Sequence, residues 1–270
     1  MINHYITTIP NMKNAIYTHQ NPPSQTSGSS NFLKNLFFPL LSSAQPNIGE
    51  RLQVDMHAHW LPGVDDGAQS DREGLAMIRG LADLGYRKLI ATPHIKKQYE
   101  NTPKILKKAF DRFMQVTAMA ELGVELSLAA EYMLDEGFEE HMASGPLLTL
   151  HDNYVLVELP HHNIQTLSAI QKTLFKIQME GYRPILAHPE RYSYYFENFG
   201  TIEGLKETGC LFQLNAMSLA GYEGKEITKR ARKLLDQEWY EFVGSDVHNP
   251  QQINYLKKVT LTREFQNRVF

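Results

Sequence analysis

The sequence predicts an α/β protein built as a seven-unit β/α barrel, with an open doubly wound sheet as the alternative. Three observations lead there. Amphipathic helical stretches alternate with short apolar strands, a glycine marks most helix-to-strand junctions, and strands begin roughly 30 residues apart, the length of one β-α unit. With 270 residues, 42% of them hydrophobic, the chain can bury one large core. No glycine-rich phosphate loop follows the first strand, which weighs against a nucleotide-binding open sheet.

Strands are expected at 53–57, 87–92, 124–131, 153–159, 183–188, 210–215 and 241–245. The apolar run from Tyr154 to Leu159 suits a strand covered on both faces, as parallel sheets require. The first long helix opens with Ser70 and Glu73 at capping-box spacing and sets Leu75, Ile78 and Leu81 on one face. A later helix aligns Leu167, Ile170, Leu174 and Ile177 in the same way. Gly85, Gly123, Gly181 and Gly209 stand where a left-handed residue closes the last helical turn.

Residues 1–50 read differently. Positions 21–31 are polar, rich in Pro, Gly and Ser, and aperiodic, the composition of a disordered or linker segment. Positions 31–45 hold a short apolar run broken by Lys34 and Pro39, about half the length of a signal-peptide core. That run reads as a segment packing on the domain or touching a membrane surface. The chain thus divides into a disordered or docking leader, 1–50, and a domain, 51–270. No stretch reaches the roughly 20 apolar residues of a transmembrane helix. A net charge of −3 argues against a nucleic-acid partner. The single cysteine, Cys210, excludes an intramolecular disulfide and a multi-cysteine zinc cage, and fits a reducing, cytoplasmic compartment.

In a parallel barrel the catalytic groups gather at the C-terminal ends of the strands, on one open face. Strand one ends in His57 and His59, two apart and so on the same side, followed by Asp65 and Asp66. Strand two ends in His94, three in Glu131 and four in Glu158. Strand five ends in His188, Glu190 and Arg191, and seven in Asp246 and His248. Only the sixth, ending in Asn215, lacks an imidazole or a carboxylate. Each residue alone has a structural explanation: a loop histidine, a solvated carboxylate, a turn aspartate, a cap. Their recurrence at the same end of successive strands points instead to a metal site. Imidazoles and carboxylates without thiolates suit zinc, manganese or iron, and the number of donors calls for two or three divalent ions. Asp65 reads as turn or supporting structure. His4, His19, His141 and His151 read as structural or surface residues; His161 and His162 could reach the rim.

The stretches Asp55–Gly67, Ala91–His94 with Tyr99–Asn101 after it, Ala187–Tyr192 and Gly244–Asn249 resemble the polymerase-and-histidinol-phosphatase (PHP) family of metal-dependent phosphoesterases. Within it they are similar to the capsule-locus bacterial protein-tyrosine phosphatases. The resemblance covers about residues 52–250. It implies a distorted seven-stranded (β/α)7 barrel of PHP type with a trinuclear site. Carried over by position, a first metal takes His57, His59, Glu131 and Asp246. A second takes Glu131, Glu158 and His188, and a third Asp66, His94 and His248. Arg191 matches a phosphate-contacting arginine. A second arginine that some members carry after the last histidine is missing here, as no arginine follows His248 before Arg263.

The chemistry implied is hydrolysis of phosphotyrosine by a metal-activated hydroxide without a phosphoenzyme, with Mn2+ the expected metal and Fe or Zn as alternatives. The implied substrate is a phosphotyrosine protein, a membrane-associated bacterial tyrosine kinase of capsular polysaccharide synthesis. A thiol route is closed, because the arginine such enzymes place six residues after the cysteine is Ala216 here. Competing readings are a histidinol-phosphate or other small-phosphomonoester phosphatase, and a non-catalytic, metal-stabilised regulator. The enzyme is expected in the cytoplasm, reaching a membrane through its partner or its leader.

Overall fold

A computed structural model describes residues 46–161, 164–197 and 199–261. The expectations for residues 1–45 therefore lie outside the described residues. Helix α1 (Ile48–Leu52) buries Ile48 and Leu52 in the main core, so the packed chain begins before position 51. Among the described residues nine strands follow: β1 (Val54–Ala58), β2 (Lys88–Ala91), β3 (His94–Ile95), β4 (Glu125–Leu128), β5 (Glu131–Met133), β6 (Tyr154–Glu158), β7 (Arg183–Ala187), β8 (Leu211–Asn215) and β9 (Tyr240–Gly244). Between them run α2 (Asp71–Asp83), α3 (Pro103–Ala118), α4 (Phe138–Ala143), α5 (Leu167–Met179), α6 (Ser193–Phe196), α7 (Phe199–Glu207), α8 (Ala216–Leu219) and α9 (Lys225–Asp236). Helix α10 (Ile253–Leu256) comes after β9, and Pro189–Arg191 forms a short 3-10 turn.

Every named strand pairing is parallel, in the order β1-β2-β4 in one sheet and β3-β5-β6-β7-β8-β9 in another. The α/β alternation expected from the sequence is present, but the expected second and third strands are each broken in two. Pro93 causes the first break, since it has no N–H to continue a ladder. Just before it, Thr92 still bonds β1 through its N–H to the Ala58 carbonyl at 3.0 Å. Just after it, His94 pairs with Glu131 in the second sheet. The second break mirrors the first: the Ala129 N–H donates to Ala91 and the Glu131 N–H to Pro93. Residues 92–93 and 129–130 thus carry the chain from one sheet into the other.

Hydrogen bonds also join the far ends. Asp246 N–H donates to the His57 carbonyl at 2.7 Å, and His59 N–H to Val247 at 2.8 Å. Buried Asp55 in β1 accepts from the Ser245 N–H at 2.9 Å and from its hydroxyl. Met56, Ile90, Leu156 and Ile185, from strands of both sheets, meet in one apolar cluster. The helices cover the outside: Met77, Ile78 and Leu81 of α2 and Ile170, Leu174 and Ile177 of α5 are buried, as their spacing predicts. Each such side chain contributes roughly 1.5–3 kcal/mol by leaving water. Ser70 caps α2 by accepting from Glu73 N–H, but the Glu73 carboxylate reaches back to the N–H of Gln69. Among the described residues no helix is long and apolar enough to cross a membrane.

Candidate metal centre

All nine candidate ligands come together. Their donor atoms form four overlapping groups, each lying within 4.8 Å: His59, Asp66, His94 and His248; His57, His59 and Glu131; His57, His188 and Asp246; His94, Glu131 and Glu158. The strands explain this. His57 sits in β1 and His59 just beyond it on the same side. His94 in β3 pairs with Glu131 in β5, and Glu158 ends the neighbouring β6 two residues beyond Leu156, the partner of Glu131. His188, Asp246 and His248 follow the ends of β7 and β9. Two of these ends take backbone conformations that L-residues rarely adopt, with φ of 35° at His188 and 53° at Asp246. Such strain survives only where the surrounding structure enforces it.

At the centre, His57 Nε2 lies 3.3 Å from Glu131 Oε2 and 3.2 Å from Asp246 Oδ1. His59 Nε2 lies 3.5 and 3.6 Å from the same two oxygens. The two Nε2 atoms face each other at 3.2 Å. His94 Nδ1 is 3.0 Å from Glu131 Oε2 and 2.9 Å from Glu158 Oε1, while its Nε2 is 3.5 Å from Asp66. His188 Nε2 approaches Glu131 Oε1 at 3.1 Å. His94 therefore spans two groups, whereas the partition implied by the resemblance keeps it with Asp66 and His248 alone.

These atoms fit a cation better than they fit one another. Buried His94 Nδ1, Glu131 Oε2, Glu158 Oε1, His188 Nδ1 and Asp246 Oδ1 make no hydrogen bond of good geometry, although His94 Nδ1 lies within 3.0 Å of two carboxylate oxygens. Leaving one buried polar atom unsatisfied costs about 1–3 kcal/mol, so a concentration of them marks a missing partner. Electrostatics agree. Burial pushes the His57 imidazole down, but the Glu131 and Asp246 carboxylates outweigh it and hold the ring protonated up to about 9. Burial raises Glu131 and Asp246, and the neighbouring histidines overcome it, holding both carboxyls below their ordinary range. Left to itself, the protein balances buried carboxylates with protons on imidazoles; a divalent cation can take over that role.

A supporting layer fixes the ligands. Asp65 accepts from His59 Nδ1 at 2.8 Å, from Gly67 N–H at 2.9 Å and from His94 N–H at 3.0 Å, so it is both turn and orienting group. Gln213, a residue the sequence reading passed over, accepts from His57 Nδ1 at 2.9 Å. Both bonds leave Nε2 facing the cluster, as metal-binding histidines require. Two glycines give these rings room. A Cβ on Gly67 would stand 2.1 Å from the His59 carbonyl oxygen, and one on Gly244 would stand 2.5 Å from the His57 Cβ.

Arg191 donates from Nη1 to Asp246 Oδ2 at 2.6 Å and stays partly exposed at the edge of the cluster. Glu223, also missed, comes within 4.0 Å of its Nε and accepts from Asn215 Nδ2. Glu190 is structural: it accepts from Asn215 N–H, the Ser218 hydroxyl and the Tyr240 hydroxyl. His161 belongs to none of the donor groups but lies near enough to feel the charges of Glu158, His188 and Arg191, its ring 5.8 Å from Tyr192, and His162 lies outside the described residues. Cys210 is buried, and burial pushes its thiol up to about 12.

Known proteins resemble this chain in sequence and fold. The chain is 31% identical over 204 residues to the tyrosine-protein phosphatase YwqE of Bacillus subtilis, covering 75% of this chain and 80% of that one. It is 31% identical to the tyrosine-protein phosphatase CpsB of Streptococcus pneumoniae, covering 73% and 83%. A solved structure from work on YwqE and CpsB, described as metal-dependent tyrosine phosphatases, superimposes with a TM-score of 0.69 at 29% identity, over 79% of this chain and 90% of that one. The pattern of the family "Capsular polysaccharide synthesis, CpsB/CapC" matches residues 53–258, and the chain belongs to that family.

Proposed function

We propose that this chain is a metal-dependent protein-tyrosine phosphatase acting on phosphotyrosine of a membrane-associated bacterial tyrosine kinase in capsular polysaccharide synthesis. The observation that carries this reading is the convergence of nine imidazole and carboxylate donors with buried atoms that no protein group satisfies. The relatives named as tyrosine phosphatases support the substrate class. In this reading the two parallel sheets form one distorted seven-unit barrel, and residues 51–270 make up the catalytic domain.

His57, His59, Glu131 and Asp246 would hold one ion, Glu131, Glu158 and His188 a second, and Asp66, His94 and His248 a third, with Mn2+ the expected metal. Bound there, divalent ions supply a nucleophilic oxygen at neutral pH and neutralise phosphoryl charge. Arg191 contributes from the protein side. Its fork has five donors, of which Asp246 takes one, leaving others for non-bridging phosphate oxygens. The Asp65–His59 and Gln213–His57 bonds keep the imidazoles aimed while substrate enters. Tyr99 stacks on His94 with ring centroids 6.3 Å apart and adds an aromatic wall against which an aryl phosphate can lie. No strong acid is needed for the leaving group, because a phenolate departs readily.

The test is turnover of a phosphotyrosyl peptide by metal-stripped protein before and after Mn2+ addition, with His57→Ala as control. Activity restored by metal and missing from the variant supports the proposal. A folded, metal-loaded protein that turns over no phosphotyrosyl peptide overturns it.

A further inference from the structure

Beside the metal centre, helix α9 carries a charge pattern that the chemistry above does not use. Lys225, Lys229, Arg232 and Lys233 recur at i, i+4, i+7 and i+8, which places them along one face. Together with Leu219, Ala220 and Gly221 they line a groove of about 780 Å³, in which Asp236 is the one acidic residue. Lys233 lies over the Phe199 ring at 3.4 Å. Lys225, Lys229 and Arg232 are exposed, and no ion pair engages them among the described residues. A chain of net charge −3 thus concentrates unpaired cations on one helix.

The groove lies one loop away from the phosphate-reading edge of the centre. The segment from Ala220 to Gly224 separates them: Gly221 and Gly224 line the groove, while Glu223 between them turns back toward Arg191 at 4.0 Å. Helix α9 itself packs against the Pro189–Arg191 turn. From Lys225 to Arg232 the helix rises about 10 Å, a distance that three or four residues of extended peptide span at roughly 3.3 Å each.

Resting on the phosphatase reading, we propose that the α9 groove docks an acidic stretch of the phosphoprotein substrate close to its phosphotyrosine. The occupant is a peptide rather than a flat lipid surface because the cations line a concave groove, and the helix that carries them packs against the turn that ends in Arg191. Side-chain carboxylates or further phosphates on that stretch would meet Lys225, Lys229 and Arg232, raising the local concentration of the phosphotyrosine at the metals.

The test uses Mn2+-loaded full-length protein and the double variant Lys229→Glu/Arg232→Glu, both positions being exposed. Substrates are a phosphotyrosyl peptide flanked by glutamates, the same peptide flanked by glutamines, and p-nitrophenyl phosphate. The variant should raise KM for the glutamate peptide about tenfold with kcat unchanged, and should leave the other two substrates alone. Equal effects on both peptides, or no effect on either, overturn the proposal. A separate arm measures anisotropy of a fluorescein-labelled, unphosphorylated glutamate-rich peptide, which needs no turnover. If the wild-type protein fails on every phosphotyrosyl peptide, the phosphatase reading falls. The groove is then judged by this arm: binding lost in the variant supports it, and equal binding overturns it. Loss of binding to anionic phosphatidylglycerol vesicles with peptide KM and anisotropy unchanged would assign the cations to a membrane and also overturn it.

Discussion

Replacing Gly244 with alanine adds a single methyl group and should dismantle the metal centre without unfolding the chain. Gly244 ends β9 and is paired with Asn215. The new Cβ would stand 2.5 Å from the His57 Cβ and 3.0 Å from Gln213 Nε2, whereas ordinary contacts begin at 3.4 Å. One of the two strands must therefore give way by close to 1 Å. Neither moves freely, since the β1 and β9 ends are tied by Asp55–Ser245 and by Asp246 N–H to the His57 carbonyl. Overpacking of this kind costs about 1–3 kcal/mol, which a domain of this size registers as roughly 2–4 °C of Tm per kcal/mol.

The functional loss should be larger. Metal–ligand distances tolerate about 0.2 Å, so a 1 Å retreat of His57 removes an imidazole and breaks its bond to Gln213. Mn2+ affinity should fall by at least about tenfold, and phosphotyrosyl turnover with it. Metal content after dialysis against Mn2+, a calorimetric melt and peptide turnover read the three quantities separately. Gly137→Ala is the control: its Cβ would meet only Asp135 Oδ1, at 3.4 Å, and it should change Tm by no more than a degree or two. A Gly244→Ala protein that binds Mn2+ and turns over substrate like the wild type would refute the claim that this glycine makes room for His57.

Gln213→Leu keeps the volume but leaves His57 Nδ1 without its acceptor, so Mn2+ affinity should drop about 10–100-fold while the melt of metal-free protein changes little. Isothermal titration with Mn2+ settles it, and unchanged affinity would contradict an orienting role. Mn2+ loading should also release about one proton or more per chain at pH 7.5, because the imidazole of His57 stays protonated up to about 9 in the metal-free protein. The raised value means that protons compete harder as pH falls, so affinity should decline from pH 9 downward; titration heats identical in buffers of different ionisation enthalpy would disprove it. Cys210, with its thiol pushed up to about 12, should resist iodoacetamide at pH 8, and Cys210→Ser should retain full turnover. Rapid alkylation with loss of activity would reopen the thiol route.

The donor set was legible because strand geometry repeats. His57 and His59 stand two apart on one side of the first strand, and the other candidate donors, Asp66 in the loop after it excepted, fall where the sequence places the end of a parallel strand, so position along each β-α unit was enough to nominate them. What position could not give was how the chain changes sheets. Pro93 reads as a strand-end residue in the sequence, yet it breaks one strand into two, and only the partner strand's matching step at Ala129–Ala130 reveals the consequence. That step sets His94 beside both Glu131 and Glu158. Gln213 carried a signal that alternation could have caught: it is polar, inside an apolar run, and two residues before Asn215. Glu223 carried none, because it lies in a loop whose path depends on tertiary packing. Gly67 and Gly244 look like ordinary turn glycines until the rings beside them are located.

The centre also lies at a particular seam of the fold. His57 and His59 belong to the three-stranded sheet, whereas Asp246 and His248 follow the last strand of the six-stranded one. Few backbone bonds cross there, notably Asp246 to His57 and His59 to Val247, with the Asp55–Ser245 pair beneath them. The same seam brings Glu131 and Asp246 against two imidazoles, so carboxylate repulsion and lost hydration fall where the backbone ladder is thinnest. Protons on the histidines relieve that repulsion only while the pH permits. A divalent ion held by the proposed ligands would relieve it with more charge and would draw on residues from both edges. On the proposed ligand set, metal binding and closure of the seam would be one event, and the residues proposed to hold the ions would also hold the two sheets together.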